Sequence, residues 1–254
     1  MKLFSIVFFF LFQIVAFGQD LPILTPNLGY LVNKSPEGEK KFHEDMLKCP
    51  DLWEKVDGGE MDTIKLTADE RIVFRNICME ETEDYWEIIG GGCSWYCGGG
   101  LDSTYASSEL VGGKYSANNI HDLNYKTAWV EGVAGQGIGE KITYDFPPEN
   151  PRITKIIIVN GYVKSPKAWT ENSRVKKLKM YVDGKPYAIL ELADSKQEQS
   201  FSFAPLGVAD RKDYDKLRTY PRWTINFEIM EVYLGSKYED TAITEIYFDG
   251  IDVH

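Results

Sequence analysis

The chain has 254 residues and a formal net charge of −11 at pH 7, because 39 aspartates and glutamates outnumber 28 lysines and arginines. Such an acidic chain repels nucleic acid and anionic membrane surfaces, so we exclude both as partners. After loss of a leader, about 235 residues could form one large all-β domain or a small domain beside a medium one.

Residues 1–18 predict a cleaved secretory signal peptide. Lys2 precedes a strongly apolar run, and small residues near Ala16 and Gly18 provide a cleavage site. A retained membrane anchor is the less favoured alternative, because the run is shorter than the roughly 18 residues needed to cross a bilayer. We therefore expect a secreted or periplasmic protein with no membrane span in its mature chain.

Residues 19–91 predict a small helical N-terminal region. From Ser35 to Glu87 the sequence is highly charged, and its apolar residues recur at helical spacing. Thr67 and Glu70 form a capping box, in which the threonine caps a helix and the glutamate reaches back to it. The apolar positions that follow the helical period are Phe42, Met46, Leu47, Ile72, Val73 and Ile77.

Four cysteines in an exported chain predict up to two disulfides, for which three pairings exist. We prefer the two local pairings, Cys49 with Cys78 and Cys93 with Cys97. A four-cysteine zinc site is less favoured, since the chain has no C-x-x-C pair and the compartment is oxidising. Trp95, which lies between the second pair, is expected to anchor this glycine-rich linker by packing.

We predict a second domain over residues 92–254, because the apolar residues there recur with the period of two that is typical of β-strands. Val182-Asp183-Gly184-Lys185 is the strongest turn signal, since Asp-Gly suits a two-residue hairpin turn that needs positive φ. Regularly spaced strands without long helices between them predict a mainly β fold, a β-sandwich or jelly roll. The predicted strands are IGEKITYDF, RITKIIIVNGY, RVKKLKMYV, KPYAILELA, QSFSF, RWTINFEIMEVYLG and TAITEIYF.

Several motifs that could carry catalysis fail on inspection. The segment GVAGQGIGE approaches a dinucleotide fingerprint, but a glutamate replaces its third glycine and a strand follows it, so we expect a turn. His43-Glu44 lacks the second histidine of a zinc protease, and no G-x-S-x-G elbow is present. His121 could be a general base beside Asp122, but sequence neighbours tend to point apart, so a solvent-edge histidine that can touch a ligand is favoured. We expect no enzyme, although a pair of glycosidase carboxylates stays open as an alternative.

The run YASSELVGGKYSANNIHDLNYKTAWVEG resembles the start of a discoidin, or coagulation factor V/VIII C-type, domain of the galactose-binding-like superfamily. The final strand TAITEIYFDG resembles the last strand of the same domain, and Trp129 is expected in the core, as in the family. The fuller pattern resembles the branch that contains the NAD glycohydrolase translocation domain of secreted bacterial proteins, described as a glycan-binding jelly roll. The resemblance covers roughly residues 93–250. Its motif positions are Ala106, Ser107, Ser108, Tyr115, Ala117, Asn118, Asp122, Thr127 and Trp129.

In many discoidin-like domains the loop before this tryptophan wraps a structural calcium ion, and the resemblance implies a similar site here. Hard oxygen ligands in a flexible cage suit calcium. Leu123 departs from the family, which commonly has glycine there, and leucine tolerates positive φ poorly. The alternative is a loop without metal, held by Asp122 and Thr127 hydrogen bonds. The implied ligands are the carbonyls of Asn119 and Asn124, the carboxylates of Asp122 and Glu245, and the hydroxyl and carbonyl of Thr127.

Sugar recognition needs an exposed aromatic ring and fixed polar groups. The loop KSPKAWTENSR offers Trp169, Asn172 and Arg174 as candidate ligand contacts, and His121 and Glu131 in the adjacent loop are secondary candidates. In the alternative interpretation, Trp169 closes the end of the sandwich and Arg174 pairs with a surface carboxylate.

The sequence therefore predicts a secreted, non-catalytic protein that binds glycan or cell-surface carbohydrate. The second hypothesis is a protein–protein adaptor or effector-translocation module with a protein partner. The third is an orphan hydrolase built on His121 and neighbouring carboxylates.

Overall fold

The computed structural model describes residues 20–56, 63–79, 84–88 and 95–253. The predicted signal peptide lies outside these ranges. Cys93 lies outside them as well, so its predicted pairing with Cys97 falls on a residue that is not described. Within the described ranges, no helix is long and apolar enough to cross a membrane.

The N-terminal region contains two short strands as well as the predicted helices. Ser35 caps the first helix by accepting a hydrogen bond from the Gly38 N–H, and the capping box of Thr67 and Glu70 is confirmed at the third. A π-helical turn, Phe74–Cys78, continues that third helix. The elements are β1 (Ile23–Leu24), β2 (Asn27–Leu31), α1 (Pro36–Met46), α2 (Cys49–Val56) and α3 (Ala68–Val73).

The predicted disulfide between Cys49 and Cys78 is confirmed, and it ties the start of α2 to the π-helical turn. Phe42 and Ile77 are buried as the helical spacing predicts. Leu47 and Ile72, two apolar positions of the same pattern, are 81% and 59% exposed. Leu47 follows the last residue of α1, and Ile72 lies on α3, none of whose residues is fully buried, so both side chains face solvent.

All seven strands predicted beyond residue 137 are confirmed. Between them lie a short helix, α4 (Pro166–Glu171), and a single turn of helix, α5 (Tyr214–Leu217). Two further short strands precede them. The strands are β3 (Ser103–Ala106), β4 (Trp129–Val130), β5 (Lys141–Phe146), β6 (Arg152–Asn160), β7 (Ser173–Val182), β8 (Lys185–Glu191), β9 (Gln197–Leu206), β10 (Trp223–Tyr233) and β11 (Thr241–Ile251).

The strands form a jelly-roll sandwich. One layer has the order β2-β9-β6-β11, and the other has the order β8-β7-β10-β5-β3 with β1 beside β8. The layers are joined where Thr241 and Ala242 of β11 run parallel to the start of β7. The main hydrophobic core contains side chains from both layers, including Trp129 and Trp95, which are each fully buried as predicted.

Two predicted turns and the predicted anchoring role of Trp95 are also confirmed within the jelly roll. Asp183 and Gly184 adopt φ of 48° and 71° in the two-residue turn between β7 and β8. The GVAGQGIGE segment is a turn that leads from β4 into β5, and all three of its inner glycines have positive φ. Trp95 anchors its segment through packing and through a 2.9 Å hydrogen bond from its indole N–H to the Pro151 carbonyl.

Two segments of the predicted helical N-terminal region are strands that pair with the jelly roll. β1 pairs in parallel with β8, and β2 pairs antiparallel with β9, so residues 23–31 belong to the sheets. Short strands such as these have no folding signal of their own, because their hydrogen-bond partners lie more than a hundred residues away. The predicted helical region is therefore a helical and extended layer attached to the jelly roll.

Candidate metal and ligand site

The loop of residues 117–127 brings the predicted carboxylate pair together. A one-and-a-half-turn 3₁₀ segment, Ala117–His121, leads into it and ends at Asp122. The Asp122 carboxylate accepts hydrogen bonds from the Thr127 hydroxyl at 2.6 Å and from the Asn124 N–H at 3.1 Å. The Thr127 hydroxyl also lies 3.2 Å from the Asn124 carbonyl. These short-range hydrogen bonds fold the loop back on itself.

Glu245 approaches the loop from β11 and is fully buried. Its Oε2 accepts a hydrogen bond from the Leu123 N–H at 2.8 Å, whereas its Oε1 has no hydrogen-bond partner in the described structure. Burial, and then the negative charge of Asp122, raise the pKa of the Glu245 carboxyl well above its ordinary value. Burial also raises the pKa of Asp122. The raised pKa of the buried Glu245 thus reflects first its own burial and then repulsion from Asp122, whose side chain is at the surface.

Leu123 adopts the left-handed conformation, with φ of 55°. That conformation costs a non-glycine residue about 1 kcal/mol. The side chain is half-buried and packs on the small cluster that contains Val32, Ile88 and Tyr125. Burying half of a leucine side chain contributes about 1 kcal/mol, which offsets the strain. Leucine is thus accommodated in a backbone conformation that favours glycine.

His121 is largely covered by its neighbours and does not lie at the solvent edge. Its side chain is 11% exposed and lies among the rings of Tyr96, Tyr144 and Phe248. Its Nδ1 lies 2.7 Å from the Ile246 carbonyl, so this nitrogen carries the proton. Burial lowers the pKa of the imidazole to about 4, so His121 is neutral at pH 7. The expectation of a solvent-edge histidine is wrong because neighbouring aromatic rings cover it, a contact that no local pattern indicates.

The donor set at the loop fits a hard cation. Among the described residues, no three His, Cys, Asp or Glu side chains are grouped so that they could hold a metal ion. What the loop offers is two carboxylates, one of them with an unpartnered buried oxygen, together with neutral hydroxyl and carbonyl oxygens. Calcium prefers such oxygens. The Asn119 side-chain NH₂ group donates to the Lys114 and Ala128 carbonyls, which fixes this side chain within the loop.

Glu131 is fully buried and fastens the turn before β5. Its carboxylate accepts hydrogen bonds from the Val133 N–H at 2.8 Å and from the Thr241 N–H at 3.2 Å. Burial raises its pKa. A Cβ on Gly137 would lie 2.4 Å from the Glu131 Cγ, so the turn closes tightly over the carboxylate. The structure places this predicted ligand contact inside the protein.

Trp169, Asn172 and Arg174 come together at the end of β6 and the start of β7. The Arg174 guanidinium lies 4.3 Å from the Trp169 ring centroid. It also forms a bidentate ion pair with Asp194, at 2.7 and 3.1 Å, and donates to the carbonyls of Trp169 and Asn172. Arg174 is 6% exposed, whereas Trp169 and Asn172 are half-buried. The guanidinium therefore supports the indole from inside, and only the tryptophan and the asparagine reach the surface.

The contact that sequence reasoning missed is made by the N-terminal region. The Ile88 N–H donates to the Leu123 carbonyl at 3.0 Å, and the Tyr125 N–H donates to the Trp86 carbonyl at 2.9 Å. Residues 84–88 thus lie along the loop that presents Asp122. No signal in the sequence could have indicated this pairing, because the two segments share neither a turn nor a periodic pattern.

The fold and the loop together define a discoidin-like domain of the galactose-binding-like type. More specifically, the chain belongs to the family described as the NAD glycohydrolase translocation F5/8 type C domain, whose model matches residues 95–249. This match confirms the resemblance found in the sequence. No functionally curated protein matches the chain.

Solved structures show partial similarity to the chain. The CBM32-1 and CBM32-2 domains of Clostridium perfringens ZmpB, in complex with GalNAc, align with a TM-score of 0.42 and 10% identity, over 59% of this chain and 33% of theirs. A pectin-binding carbohydrate-binding module aligns with a TM-score of 0.39 and 18% identity, over 59% of this chain and 91% of its own. The mycobacterial arabinofuranosyltransferase AftD aligns with a TM-score of 0.42 and 16% identity, over 60% of this chain and 10% of its own. Similarities this partial carry no information about the ligand of this chain.

Proposed function

We propose that this chain is a secreted, non-catalytic protein whose jelly roll binds carbohydrate through the loop that carries Trp169. The supporting observation is the half-buried indole of Trp169, which Arg174 holds from inside while Asn172 lies beside it at the surface. A fixed aromatic face with an adjacent amide is what recognition of a pyranose ring requires. Arg174, which is itself buried, positions the tryptophan and does not touch the sugar. Secretion is part of the proposal and is supported by the predicted signal peptide.

The environment of His121 supports the non-catalytic part of the proposal. A general base must reach the proton that it abstracts. In His121 one ring nitrogen is bonded to a main-chain carbonyl, and three aromatic rings surround the imidazole. The orphan hydrolase hypothesis would require this histidine to face a substrate.

A glycan array and calorimetric titrations on the mature protein test carbohydrate binding. The expected result is binding of at least one sugar, with at least a tenfold loss of affinity in Trp169→Ala. Trp53→Ala is a matched control, because Trp53 is 39% exposed on α2 and packs on Phe74, outside the cluster that Trp169 contacts. Absence of binding to every sugar at millimolar concentration, or equal losses in both variants, would contradict the proposal.

We extend the proposal to a structural calcium ion held by Asp122 and Glu245, with oxygens of Asn119, Asn124 and Thr127. The unpartnered, buried Glu245 Oε1 and the absence of a lysine or arginine ion pair with either carboxylate, among the described residues, support it. When bound, the ion would neutralise the carboxylate pair and hold the loop to β11. Calcium titration followed by thermal unfolding tests this part, and no change in melting temperature at millimolar calcium would argue against it.

A second candidate function is the binding of an extended segment of a partner protein. A cavity of about 1380 Å³ lies between β2 and the helices α1 and α3. In the part of the chain that the structure describes, no strand pairs with the outer edge of β2, and Leu28 and Leu31 on that strand are exposed. Unpaired strand edges bind extended peptides by adding a strand. A pull-down that recovers one protein, unaffected by sugar competition and lost in Gly29→Pro, would favour this candidate.

A further inference from the structure

Residues 84–88 and the loop of residues 117–127 form a short two-stranded contact. Glu87 and Asn124 make an antiparallel bridge. Hydrogen bonds flank this bridge on both sides, from the Ile88 N–H to the Leu123 carbonyl and from the Tyr125 N–H to the Trp86 carbonyl. The N-terminal region therefore binds the loop through its main chain, next to Asp122.

The main-chain N–H and carbonyl groups of Leu123 are both hydrogen-bonded, each to a different part of the chain. Its N–H donates to the Glu245 carboxylate on β11, and its carbonyl accepts from the Ile88 N–H. Its side chain packs on the cluster in which Val32 and Ile88 meet residues of the jelly roll. A glycine would adopt the same φ of 55° without such support, whereas leucine needs the surrounding structure to impose it.

Lys34 strengthens the same contact from the N-terminal side. It is 8% exposed, and its ammonium group donates to the Tyr85 carbonyl. The ammonium lies 3.8 Å from the Tyr85 ring centroid and 4.2 Å from the Tyr125 ring centroid, so it joins the N-terminal region to the loop by cation–π contacts. Tyr125 in turn donates to Glu198 on β9 at 2.8 Å. The loop is thus fixed to several separate parts of the chain.

We infer that residues 84–88 are a positioning element for the 117–127 loop: by holding Leu123 in the left-handed conformation, they keep the Asp122 and Glu245 carboxylates together. Leu123 and residues 84–88 then form a matched pair, in which the segment supplies the support that glycine would not need at this φ. The consequence for calcium affinity rests on the proposed function. The consequence for loop order does not, because it concerns hydrogen bonds within the chain.

Amide hydrogen exchange of the full mature chain in EDTA, measured by NMR, tests the inference. The probe is the Leu123 N–H, because its hydrogen-bond acceptor is Glu245 and not the N-terminal region. Ile88→Ala removes packing from the cluster and keeps the main-chain hydrogen bond. We expect it to accelerate exchange of the Leu123 amide at least tenfold, while amides in β7 and β10 stay unchanged. Ile88→Val, which removes one methylene, is expected to give a smaller acceleration of the same amide.

Two control variants separate positioning from general destabilisation. Ile72→Ala removes an isoleucine of the same N-terminal region that is 59% exposed, and we expect it to leave Leu123 exchange unchanged. In a Leu123→Gly background, Ile88→Ala is expected to change exchange at position 123 less than threefold, because glycine needs no support at this φ.

The inference is overturned if Ile88→Ala leaves exchange at Leu123 unchanged, or if it accelerates exchange equally in β7 and β10. It is also overturned if the effect of Ile88→Ala is as large with glycine at position 123 as with leucine. All of these outcomes are read in EDTA, so a failure of the calcium proposal does not change their meaning. If calcium binds, Ile88→Ala is expected to weaken its affinity, and Leu123→Gly in the same chain is expected to restore it.

Discussion

Glu245 is the residue whose substitution tests the candidate metal site most directly. The side chain is fully buried, and one carboxylate oxygen has no hydrogen-bond partner in the described structure. Burial, followed by repulsion from Asp122, raises its pKa well above the ordinary value of 4.5. In a chelator, the folded protein therefore keeps the proton of Glu245 to a higher pH than the unfolded chain does.

The sign and size of the effect on stability follow from that raised pKa. The contribution of Glu245 to stability is fully present below pH 4.5 and is lost as the pH rises through the folded-state pKa. Each pH unit in that window costs about 1.4 kcal/mol, so at pH 7 the cost is at most about 3 kcal/mol. Glutamine has the same shape and no charge. We expect Glu245→Gln to exceed the wild type in free energy of unfolding at pH 7 in EDTA, by up to this amount, and to match it near pH 4.

Urea denaturation of both proteins at pH 4 and pH 7, in EDTA, measures this difference. A glutamine variant that is less stable than the wild type at pH 7 would refute the reasoning, since the ionised carboxylate would then have a stabilising partner. Calcium reverses the expectation. At a calcium concentration one hundred times the dissociation constant, the wild type gains about 2.7 kcal/mol, and Glu245→Gln is expected to lose this gain. An equal gain in both proteins would remove Glu245 from the ligand set.

Three further predictions concern other parts of the molecule. The Cys49–Cys78 disulfide joins residues that are 29 positions apart in sequence. Replacing both cysteines with serine is expected to lower the free energy of unfolding, measured by urea denaturation, by about 3.5 kcal/mol and to speed proteolysis of the helical region. Unchanged stability would contradict this prediction. Burial lowers the pKa of His121 to about 4, against about 6.5 in the unfolded chain, so acidification from pH 6.5 to pH 4 destabilises the folded state by up to about 3 kcal/mol. In EDTA we expect His121→Phe to lose this pH dependence of stability, and an NMR titration midpoint near 6.5 for His121 would refute the prediction. Gly137→Ala forces a Cβ to 2.4 Å from the Cγ of the buried Glu131, whereas the Cβ added in Gly135→Ala meets open space. We therefore expect Gly137→Ala to lower the melting temperature more than Gly135→Ala. Equal decreases would show that only the positive φ of the two glycines matters.

Strands of the jelly roll could be predicted because their signals are local. Leu178 and Met180 alternate with Lys177 and Lys179, and the structure buries the first pair completely. The Asp-Gly turn that follows them needs positive φ, which few other dipeptides adopt readily. Alternation and turn chemistry act within a few residues, so they can be read without knowing the fold.

Elements that depend on distant partners could not be predicted. The segment NLGYL of β2 contains a glycine, follows a proline, and becomes a strand because β9 pairs with it. The environment of Leu123 is similar in kind, since local preference opposes its conformation, and residues 88 and 245 impose it. That Asp122 and Glu245 lie close together could be expected only from the resemblance to a family, because no periodic pattern connects residues that are 123 positions apart in sequence.

The candidate ligand loops are all fastened to one short stretch of chain, the first half of β11. Thr241 binds Glu131 and so holds the turn before β5, and Thr244 donates to the Gly161 carbonyl at 2.7 Å and thereby holds the segment that leads to Trp169. Glu245, the next residue, holds the 117–127 loop. A single rigid strand thus sets the relative positions of three loops before any ligand arrives. Loops fixed in this way lose little conformational entropy on binding, which favours the carbohydrate binding that we propose.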